Sequence, residues 1–303
     1  MAENTTLINE TEIKKSNNWI LNLPIIFAFL MLFIFNFLTA PLANKDVMIH
    51  VPTGQSIGAI SEDLAMKRAV RYSSILKILV LVLKNDKGIT SGDYLIKSKT
   101  PVWTVAWQLA LGRHNVDQLK ITFPEGLNNE EVAAIFAHKL ASFRKDLFLA
   151  GTYGQQGYLF PDTYYFYPLD TTDELIQKFN NNFNNRIKKL DLTTSSKNLN
   201  QILTMASILE GEASGSVDAG LIAGILWKRI SLNMPLQVDV DKRTYSDLGL
   251  PKEPLNNPGL TTIMASLNPV DSPYLYYLHD KTGVVHYAKS YEEHKLNIKK
   301  YLK

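Results

Sequence analysis

The stretch ILTMASILEGEASG, residues 202–215, is an apolar run that ends in two glutamates placed two residues apart. On a helix that turns about 100° per residue, Glu210 and Glu212 point roughly 200° apart, so both cannot face one site. Glu210 falls within the predicted apolar face of this helix, and Glu212 lies at its edge. That face consists of Leu199, Ile202, Leu203, Ala206, Leu209 and Ala213.

Glu210 is the candidate for acid–base chemistry. A carboxyl group among apolar neighbours loses hydration, which disfavours its charged form and raises its pKa. A general acid needs that protonated state near neutral pH. The small residues Ala206 and Ser207 lie one turn earlier and would leave room for a ligand. The periodicity supports equally a structural carboxylate that pairs or caps within the core.

The composition is that of a globular protein large enough for two modest domains. The chain has 303 residues, of which 46% are hydrophobic and 20% are charged. The net charge of +3 is small, and no basic stripe interleaved with aromatic residues argues for nucleic-acid binding. Cysteine is absent, which excludes disulfides, thiolate metal sites and cysteine nucleophiles.

Residues 20–43 form an uncharged apolar run that predicts a single membrane-spanning helix. The run exceeds the roughly 20 residues that a helix needs to cross a bilayer. The alternative is a cleaved signal peptide, but its apolar core is usually shorter. Lys14 and Lys15 precede the run and give a slight positive-inside bias. We therefore expect a cytoplasmic tail at 1–19, a single span in the cytoplasmic (inner) membrane, and an extracytoplasmic remainder.

The remainder divides into two predicted units. Residues 44–116 contain a strand (VMIHV, 47–51), two helices and a second strand (GDYLIK), which make a small strand, helix, helix, strand module. In residues 117–303 the clearest helix is VDAGLIAGILWKRISLN (217–233). The clearest hairpin is PYLYYLHDKTGVVHYAK (273–289), with its turn at 280–283. Because helices and strands do not alternate strictly, the predicted fold class is α+β.

Two other chemistries can be weighed from short motifs. The six histidines include no HExxH motif and no pair at ligand spacing on one helix, so no metal site is predicted. The SxxK motif at Ser74, the SxN motif at Ser266 and the KTG motif at Lys281 match the signatures of penicillin-binding proteins. However, Ser74 opens a run typical of buried packing in a small module, and only 20 residues follow the KTG motif. We therefore discount this interpretation.

Six motifs follow one another between residues 123 and 294. They are FPEGLNNEEVA (123–133), GYLFPDTYYF (157–166), ASILEGEA (206–213), MPLQVD (234–239), NNPGLTTIMASLNP (256–269) and the segment 272–294. In content and order they resemble the YceG-like (MltG) family of membrane-anchored endolytic murein transglycosylases. The third motif is similar to the catalytic-glutamate helix of that family, and Glu210 is the residue that matches its catalytic acid.

The resemblance implies a reaction and a domain plan. The reaction is cleavage of the MurNAc–GlcNAc β-1,4 bond within peptidoglycan glycan strands, which leaves 1,6-anhydro-MurNAc ends and terminates nascent strands. One carboxyl suffices, because the C6 hydroxyl of the sugar attacks its own anomeric carbon, whereas hydrolytic glycosidases need two carboxyls. The resemblance also implies no metal or organic cofactor, a LysM-like module at 44–116, a catalytic domain at 117–303 and peptidoglycan synthases as partners. The alternative is a non-catalytic, membrane-anchored peptidoglycan-binding adaptor, against which the intact Glu210 argues.

The resemblance further implies substrate-binding residues. Gln237 and Asp239 belong to a motif expected to line the cleft, although hydrogen bonding at a turn and strand end fits them equally. Tyr245 and Asn257 are expected to bind sugar hydroxyl or acetamido groups. Glu212 is expected to support the site.

Other positions are expected to play structural parts or depart from the family pattern. Glu125 is expected to be a supporting or structural carboxylate, and Asp162 and Thr163 to lock a local conformation. The loop after the LQVD motif is short, and Arg243 stands where the family has Asn. Gly211 is expected to loosen the helix end by up to ~1 kcal/mol relative to Ala.

Overall fold

The computed structural model describes residues 19–40, 42–84, 88–190, 192, 196–212 and 218–302, apart from the side chains of residues 19–22 and 37–38. Residues 1–18 of the predicted cytoplasmic tail lie outside the described residues. The chain divides into two compact units, Met1–Val116 and Asp117–Lys303. Both units combine helices with antiparallel strand pairs, so the predicted α+β class is confirmed.

The first unit is built on one pair of strands with two helices between them. Strand β1 (Val47–Val51) pairs antiparallel with β2 (Gly92–Ile96). Helices α2 (Ile57–Met66) and α3 (Ser73–Lys84) lie between them in the chain, and α4 (Val102–Ala110) follows β2. The predicted order of strand, helix, helix and strand is therefore present. The core of the unit includes Ile49, Ile60, Leu64, Leu76, Val80, Tyr94, Val105 and Leu109.

The first described element of this unit is helix α1 (Trp19–Thr39). The side chains of residues 23–36 on this helix are exposed. Its last turn is closed by the Thr39 hydroxyl, which donates to the Phe35 carbonyl at 2.6 Å. Within the part of the chain that the structure describes, no helix combines the length and the apolar character needed to cross a membrane.

The first half of the second unit packs three helices against a strand pair. Strand β3 (Leu119–Thr122) pairs antiparallel with β4 (Thr163–Phe166). Helices α5 (Asn129–Lys139) and α7 (Thr172–Ile187) each begin with a capping box, in which an Asn or Thr precedes a Glu by three residues. Helix α6 (Lys145–Gly151) lies between them. The shared core is aromatic and includes Phe123, Phe136, Phe148, Phe166 and Phe179.

The second half of this unit is centred on a buried helix. In chain order it contains α8 (Leu199–Glu212), α9 (Ala219–Ser231), a 3₁₀ turn (Lys242–Tyr245), α10 (Leu260–Leu267), β5 (Tyr276–His279), β6 (Val285–Ala288) and α11 (Tyr291–Tyr301). Strands β5 and β6 form the predicted hairpin, closed where the Asp280 amide donates to the Val284 carbonyl. On α9, the predicted inner residues Ile222, Ile225 and Leu226 are buried.

Helix α8 does not have the single apolar face that its sequence predicts. Every residue from Ile202 to Leu209 is buried. One side of the helix, which includes Leu203 and Ala206, packs with residues of α10. Another side, which includes Met205 and Ile208, packs with residues of α9. The prediction of one face was therefore wrong, because partner helices cover this segment on more than one side and bury even its Thr and Ser.

Candidate functional site

Glu210 lies in the last turn of α8, where its carboxylate meets the start of α10. Its Oε2 atom accepts hydrogen bonds from the Gly259 amide at 3.0 Å and from the Thr262 hydroxyl at 2.7 Å. Gly259 is the N-cap of α10 and Thr262 lies in its first turn, so the carboxylate occupies the positive end of a helix dipole. Among the described residues, Oε1 has no hydrogen-bond partner. The predicted apolar surroundings of the Glu210 carboxylate are therefore wrong, since polar donors hold it in place.

Glu125 is a second carboxylate next to Glu210. It precedes Gly126, whose φ of 81° forms the turn between β3 and α5. A Cβ atom built on Gly126 would lie 3.6 Å from Cγ of Glu210, and one built on Gly259 would overlap Oε1 of Glu125. The pKa of Glu125 is raised, chiefly by burial and further by the negative charge of Glu210. Glu125 therefore holds its proton to a higher pH than a glutamate with the ordinary pKa does.

The closeness of Glu125 to Glu210 is not evident from the sequence, although both residues stand in motifs. They are 85 positions apart in the chain. The only local signal was the Glu-Gly turn itself, since a glycine with positive φ often marks a close approach of the backbone to another group.

Asn257 joins three segments and does not face open space. Its side chain is 1% exposed. Its Oδ1 accepts from the amides of Gly157 and Leu159, and its Nδ2 donates to the Leu127 carbonyl and to Asn129. All of its hydrogen-bonding capacity is used within the protein. The Asn257 side chain thus has no unused hydrogen-bonding group for a sugar in this structure, and it holds the segment before α10 against the turn that carries Glu125.

Glu212 points away from the partners of Glu210. Its Oε1 accepts from the Asp239 amide at 2.9 Å, and the Tyr277 hydroxyl donates to its Oε2 at 3.4 Å. Burial raises the pKa of Glu212, although the backbone amides of Asp239 and Val240 act in the opposite direction. The two glutamates of the motif therefore have separate sets of partners, as the helical geometry predicts.

Close packing explains why the residue between the two glutamates, Gly211, is a glycine. A Cβ atom there would overlap Cγ1 of Val240. Glycine thus lets the loop after the LQVD motif approach the end of α8, and this close approach is a better explanation than the predicted loosening of the helix.

Four of the predicted substrate-binding residues line one cavity of about 450 Å³ in the second unit. They are Glu212, Gln237, Asp239 and Tyr245. The Tyr245 hydroxyl donates to Asp239 at 2.9 Å, and Lys242 also donates to that carboxylate. The hydrogen bond from Lys242 is the main reason that the pKa of Asp239 is lowered. Glu210 and Asn257 do not line this cavity.

The loop that departs from the family pattern is closed by its own side chains. The Arg243 guanidinium pairs with Asp241, with Nη2 at 2.8 Å from Oδ2. The Thr244 hydroxyl, which is buried, accepts from the Val238 amide at 3.0 Å. Arg243 therefore stabilises the loop through its ion pair with Asp241.

Asp162 and the motifs that match penicillin-binding proteins have structural roles or positions outside the cavity. Asp162 accepts hydrogen bonds from the Arg186 guanidinium at 2.7 Å and from the Asn182 amide group at 3.0 Å, which ties the start of β4 to α7. Ser266 of the SxN motif is fully buried and donates to the Ile202 carbonyl. The KTG motif occupies the turn between β5 and β6. Because Ser266 is buried in the core, it cannot line an open active site as the SxN motif of a penicillin-binding protein does.

Comparisons with known proteins agree on one family. Residues 49–241 and 243–300 match the model of the YceG-like family. Two relatives from strains of Streptococcus pneumoniae and one from Bacillus subtilis, each named endolytic murein transglycosylase, are 25% identical to this chain over 84–86% of its length. The chain spans 58% of the Streptococcus relatives and 86% of the Bacillus one. The crystal structure of a YceG-like protein from Listeria monocytogenes superposes with a TM-score of 0.53 at 25% identity, covering 83% of this chain and 99% of that one.

Proposed function

The chain belongs to the YceG-like family, and from this premise we propose that it is an endolytic lytic transglycosylase of peptidoglycan. It cleaves the β-1,4 bond between MurNAc and GlcNAc inside glycan strands and thereby terminates nascent strands. The names of the relatives from Streptococcus and Bacillus support the reaction class. The observation that carries the proposal for this chain is the Glu210 carboxylate, with Oε2 held by two donors and Oε1 left for chemistry.

In the proposed reaction, Glu210 acts first as an acid and then as a base. It transfers a proton from Oε1 to the glycosidic oxygen as the bond from the MurNAc anomeric carbon to that oxygen breaks. The C6 hydroxyl of the same MurNAc forms the new bond to the anomeric carbon and gives its proton to Glu210. The products are a 1,6-anhydro-MurNAc end and a GlcNAc with a free 4-hydroxyl, and Glu210 is protonated again. No water is consumed, so one catalytic carboxyl completes the cycle.

The neighbours of Glu210 supply position and charge. The Gly259 amide and the Thr262 hydroxyl restrict the rotation of the carboxyl group, which favours a near-attack geometry. Glu125 lies beside Glu210, and its pKa is raised by burial and by the negative charge of Glu210. Gln237, Asp239, Tyr245 and Glu212 bind the glycan strand in the adjoining cavity.

The proposal extends to the place of the protein in the cell. The uncharged run at 20–43 anchors the chain in the cytoplasmic membrane, and the catalytic unit lies outside the cytoplasm. The module at 44–116 is LysM-like and contacts peptidoglycan, and peptidoglycan synthases are the partners. The resemblance to membrane-anchored members of the family supports this arrangement.

The proposal is tested by muropeptide analysis of glycan strands incubated with the full-length chain. The wild type is expected to release products with 1,6-anhydro-MurNAc ends. Glu210→Gln should abolish them, because the amide accepts the same two hydrogen bonds but has no proton to transfer. The exposed Glu253 provides a matched control, since Glu253→Gln makes the same chemical change elsewhere in the second unit. A wild type without anhydro products, or a Glu210→Gln variant with as many, would refute the enzymatic function and favour a binding adaptor.

A further inference from the structure

The cavity lined by Glu212, Gln237, Asp239 and Tyr245 contains a buried cation. Arg229 of α9 lines this cavity and is only 4% exposed. The other walls come from Glu212 at the end of α8, from the loop after α9, from strand β5, and from α11 with the residue after it. The reaction proposed above uses Glu210 and makes no use of Arg229.

Within the described part of the chain, Arg229 has no carboxylate partner. A guanidinium group has five N–H donors. One of them, on Nη2, donates to Oε1 of Gln237 at 2.5 Å, whereas Nε is buried without a partner. The ring of Tyr276 lies 5.4 Å from the guanidinium carbon, in cation–π contact. A buried guanidinium with so few hydrogen-bonding or ionic partners lowers the stability of the fold unless a ligand supplies the missing partners.

The charged and titratable groups around Arg229 are engaged elsewhere or neutral, so none of them pairs with its guanidinium. Burial lowers the pKa of His294, and Arg229 lowers it further, so this histidine is neutral near pH 7. The charge of Asp239 is offset by Lys242. Glu212 is tied to the Asp239 amide, and its pKa is raised by burial. None of these groups pairs with the guanidinium, whose preferred ligand is a planar anion that accepts two parallel hydrogen bonds.

We propose that Arg229 binds a carboxylate of the peptidoglycan strand and so determines which strands enter the site. This inference rests on the proposed function, in which peptidoglycan is the substrate. Two sources of a carboxylate exist in that polymer. One is the lactyl group of a MurNAc that carries no peptide, and the other is the stem peptide. The shared chemistry is a carboxylate that makes two hydrogen bonds to the guanidinium over the ring of Tyr276.

The location suits a subsite beside the cleaved bond. Glu212 lines the cavity and Glu210 does not. The two residues are separated by two positions on α8, which places their Cα atoms about 5.4 Å apart on a regular helix. Because the two side chains point in different directions, the cavity is a separate subsite, and we place in it an adjacent sugar, or the substituent of that sugar, when the cleaved bond lies at Glu210.

The test measures binding to the full-length Glu210→Gln chain, which does not turn over. The probes are three tetrasaccharides of alternating GlcNAc and MurNAc: one with free lactyl carboxylates, one with these groups as methylamides, and one with stem tripeptides. Calorimetry is expected to show that at least one carboxylate-bearing strand binds about 10- to 100-fold more tightly than the methylamide strand. The strand that shows the preference identifies the source of the carboxylate.

A second substitution assigns the preference to Arg229. Arg229→Met keeps the aliphatic stem and should remove the preference while leaving the affinity for the methylamide strand unchanged. Arg144→Met is the matched control, because Arg144 is an exposed arginine paired with Asp146. Equal loss of affinity for all three strands in Arg229→Met would assign Arg229 a purely structural role and overturn the inference.

The inference stays open to refutation if Arg229→Met fails to fold. In that case the comparison of strands on the Glu210→Gln chain decides, and equal affinity for all three overturns it. Failure of the proposed function is distinguishable, because it would appear as a wild type that cleaves nothing while the carboxylate preference in binding persists.

Discussion

Thr262→Val tests whether the hydrogen bonds to Glu210 position its carboxyl group for catalysis. The Thr262 hydroxyl donates to Oε2 of Glu210 at 2.7 Å, and Thr262 is 5% exposed. Valine has the same shape and retains the packing of α10, but it cannot donate. The carboxyl group is then held by the Gly259 amide alone and rotates more freely.

The size of the effect follows from the kind of hydrogen bond that is lost. Hydrogen bonds to charged groups contribute about 1.5–3 kcal/mol. If that amount is lost in the transition state, kcat falls by about 10- to 100-fold. KM should stay the same, because the buried Thr262 does not reach the substrate. The free energy of unfolding should fall by about 1–3 kcal/mol, which is the usual cost of leaving a buried hydrogen-bonding group without its partner.

The assay is the rate of anhydro-MurNAc formation, together with the midpoint of thermal unfolding. Ser266→Ala is the matched control, because Ser266 is also a buried hydroxyl on α10 but donates to the Ile202 carbonyl. Both variants should lose similar stability, and only Thr262→Val should lose activity. Thr262→Ser, which restores the hydroxyl, should recover the rate. If Thr262→Val keeps a kcat within twofold of the wild type, the positioning role is refuted.

Two further predictions concern stability. Glu125→Gln should raise the thermal midpoint at pH 7 and leave it unchanged below about pH 4, with a gain of at most ~1 kcal/mol because Glu125 is largely exposed. The raised pKa of Glu125 means that the folded chain binds this proton more tightly than the unfolded chain does. The stability of the wild type therefore falls as the pH rises from the ordinary pKa of 4.5 through the pKa of the folded chain. A thermal midpoint of Glu125→Gln below that of the wild type at pH 7 would contradict this prediction. Gly224→Ala should destabilise the chain by about 2 kcal/mol or more, because the new Cβ overlaps the Val270 carbonyl oxygen. Gly220→Ala on the same helix meets the Val270 side chain at 3.2 Å and the Asn268 carbonyl oxygen at an ordinary contact distance of 4.0 Å, and it should cost less than 1 kcal/mol. Equal losses of stability in calorimetric melting would show that the overlap with the Val270 backbone does not matter.

The sequence predicted those helices and strands that are determined by interactions between residues near one another in the chain. The hairpin of β5 and β6 follows from two β-rich runs around Asp280-Lys281-Thr282-Gly283. Helix α9 follows from the spacing of Ile222, Ile225 and Leu226. In these cases the turn chemistry and the helical period act within a few residues, so the sequence carries the whole signal.

The surroundings of the glutamates were predicted less well. Periodicity indicated one apolar face on α8 and an apolar setting for Glu210. The structure instead buries α8 between α9 and α10 and gives the Glu210 carboxylate two polar donors from α10. Asn257 was expected to meet substrate but uses its side chain to connect loops. These contacts depend on how helices and loops pack against one another. The spacing of apolar residues along a single helix carries no information about that packing.

The sequence by itself determined the α+β class, most of the helices and strands, and the separation of Glu210 from Glu212, because 100° per residue is a property of the helix alone. The tertiary structure decided what each carboxylate meets. It brought Glu125 next to Glu210, enclosed Glu212 and Arg229 around one cavity, and required glycine at positions 211 and 259 for close approach. The pKa of a carboxyl group depends on burial and on charges a few ångströms away, and residues from distant parts of the chain supply both.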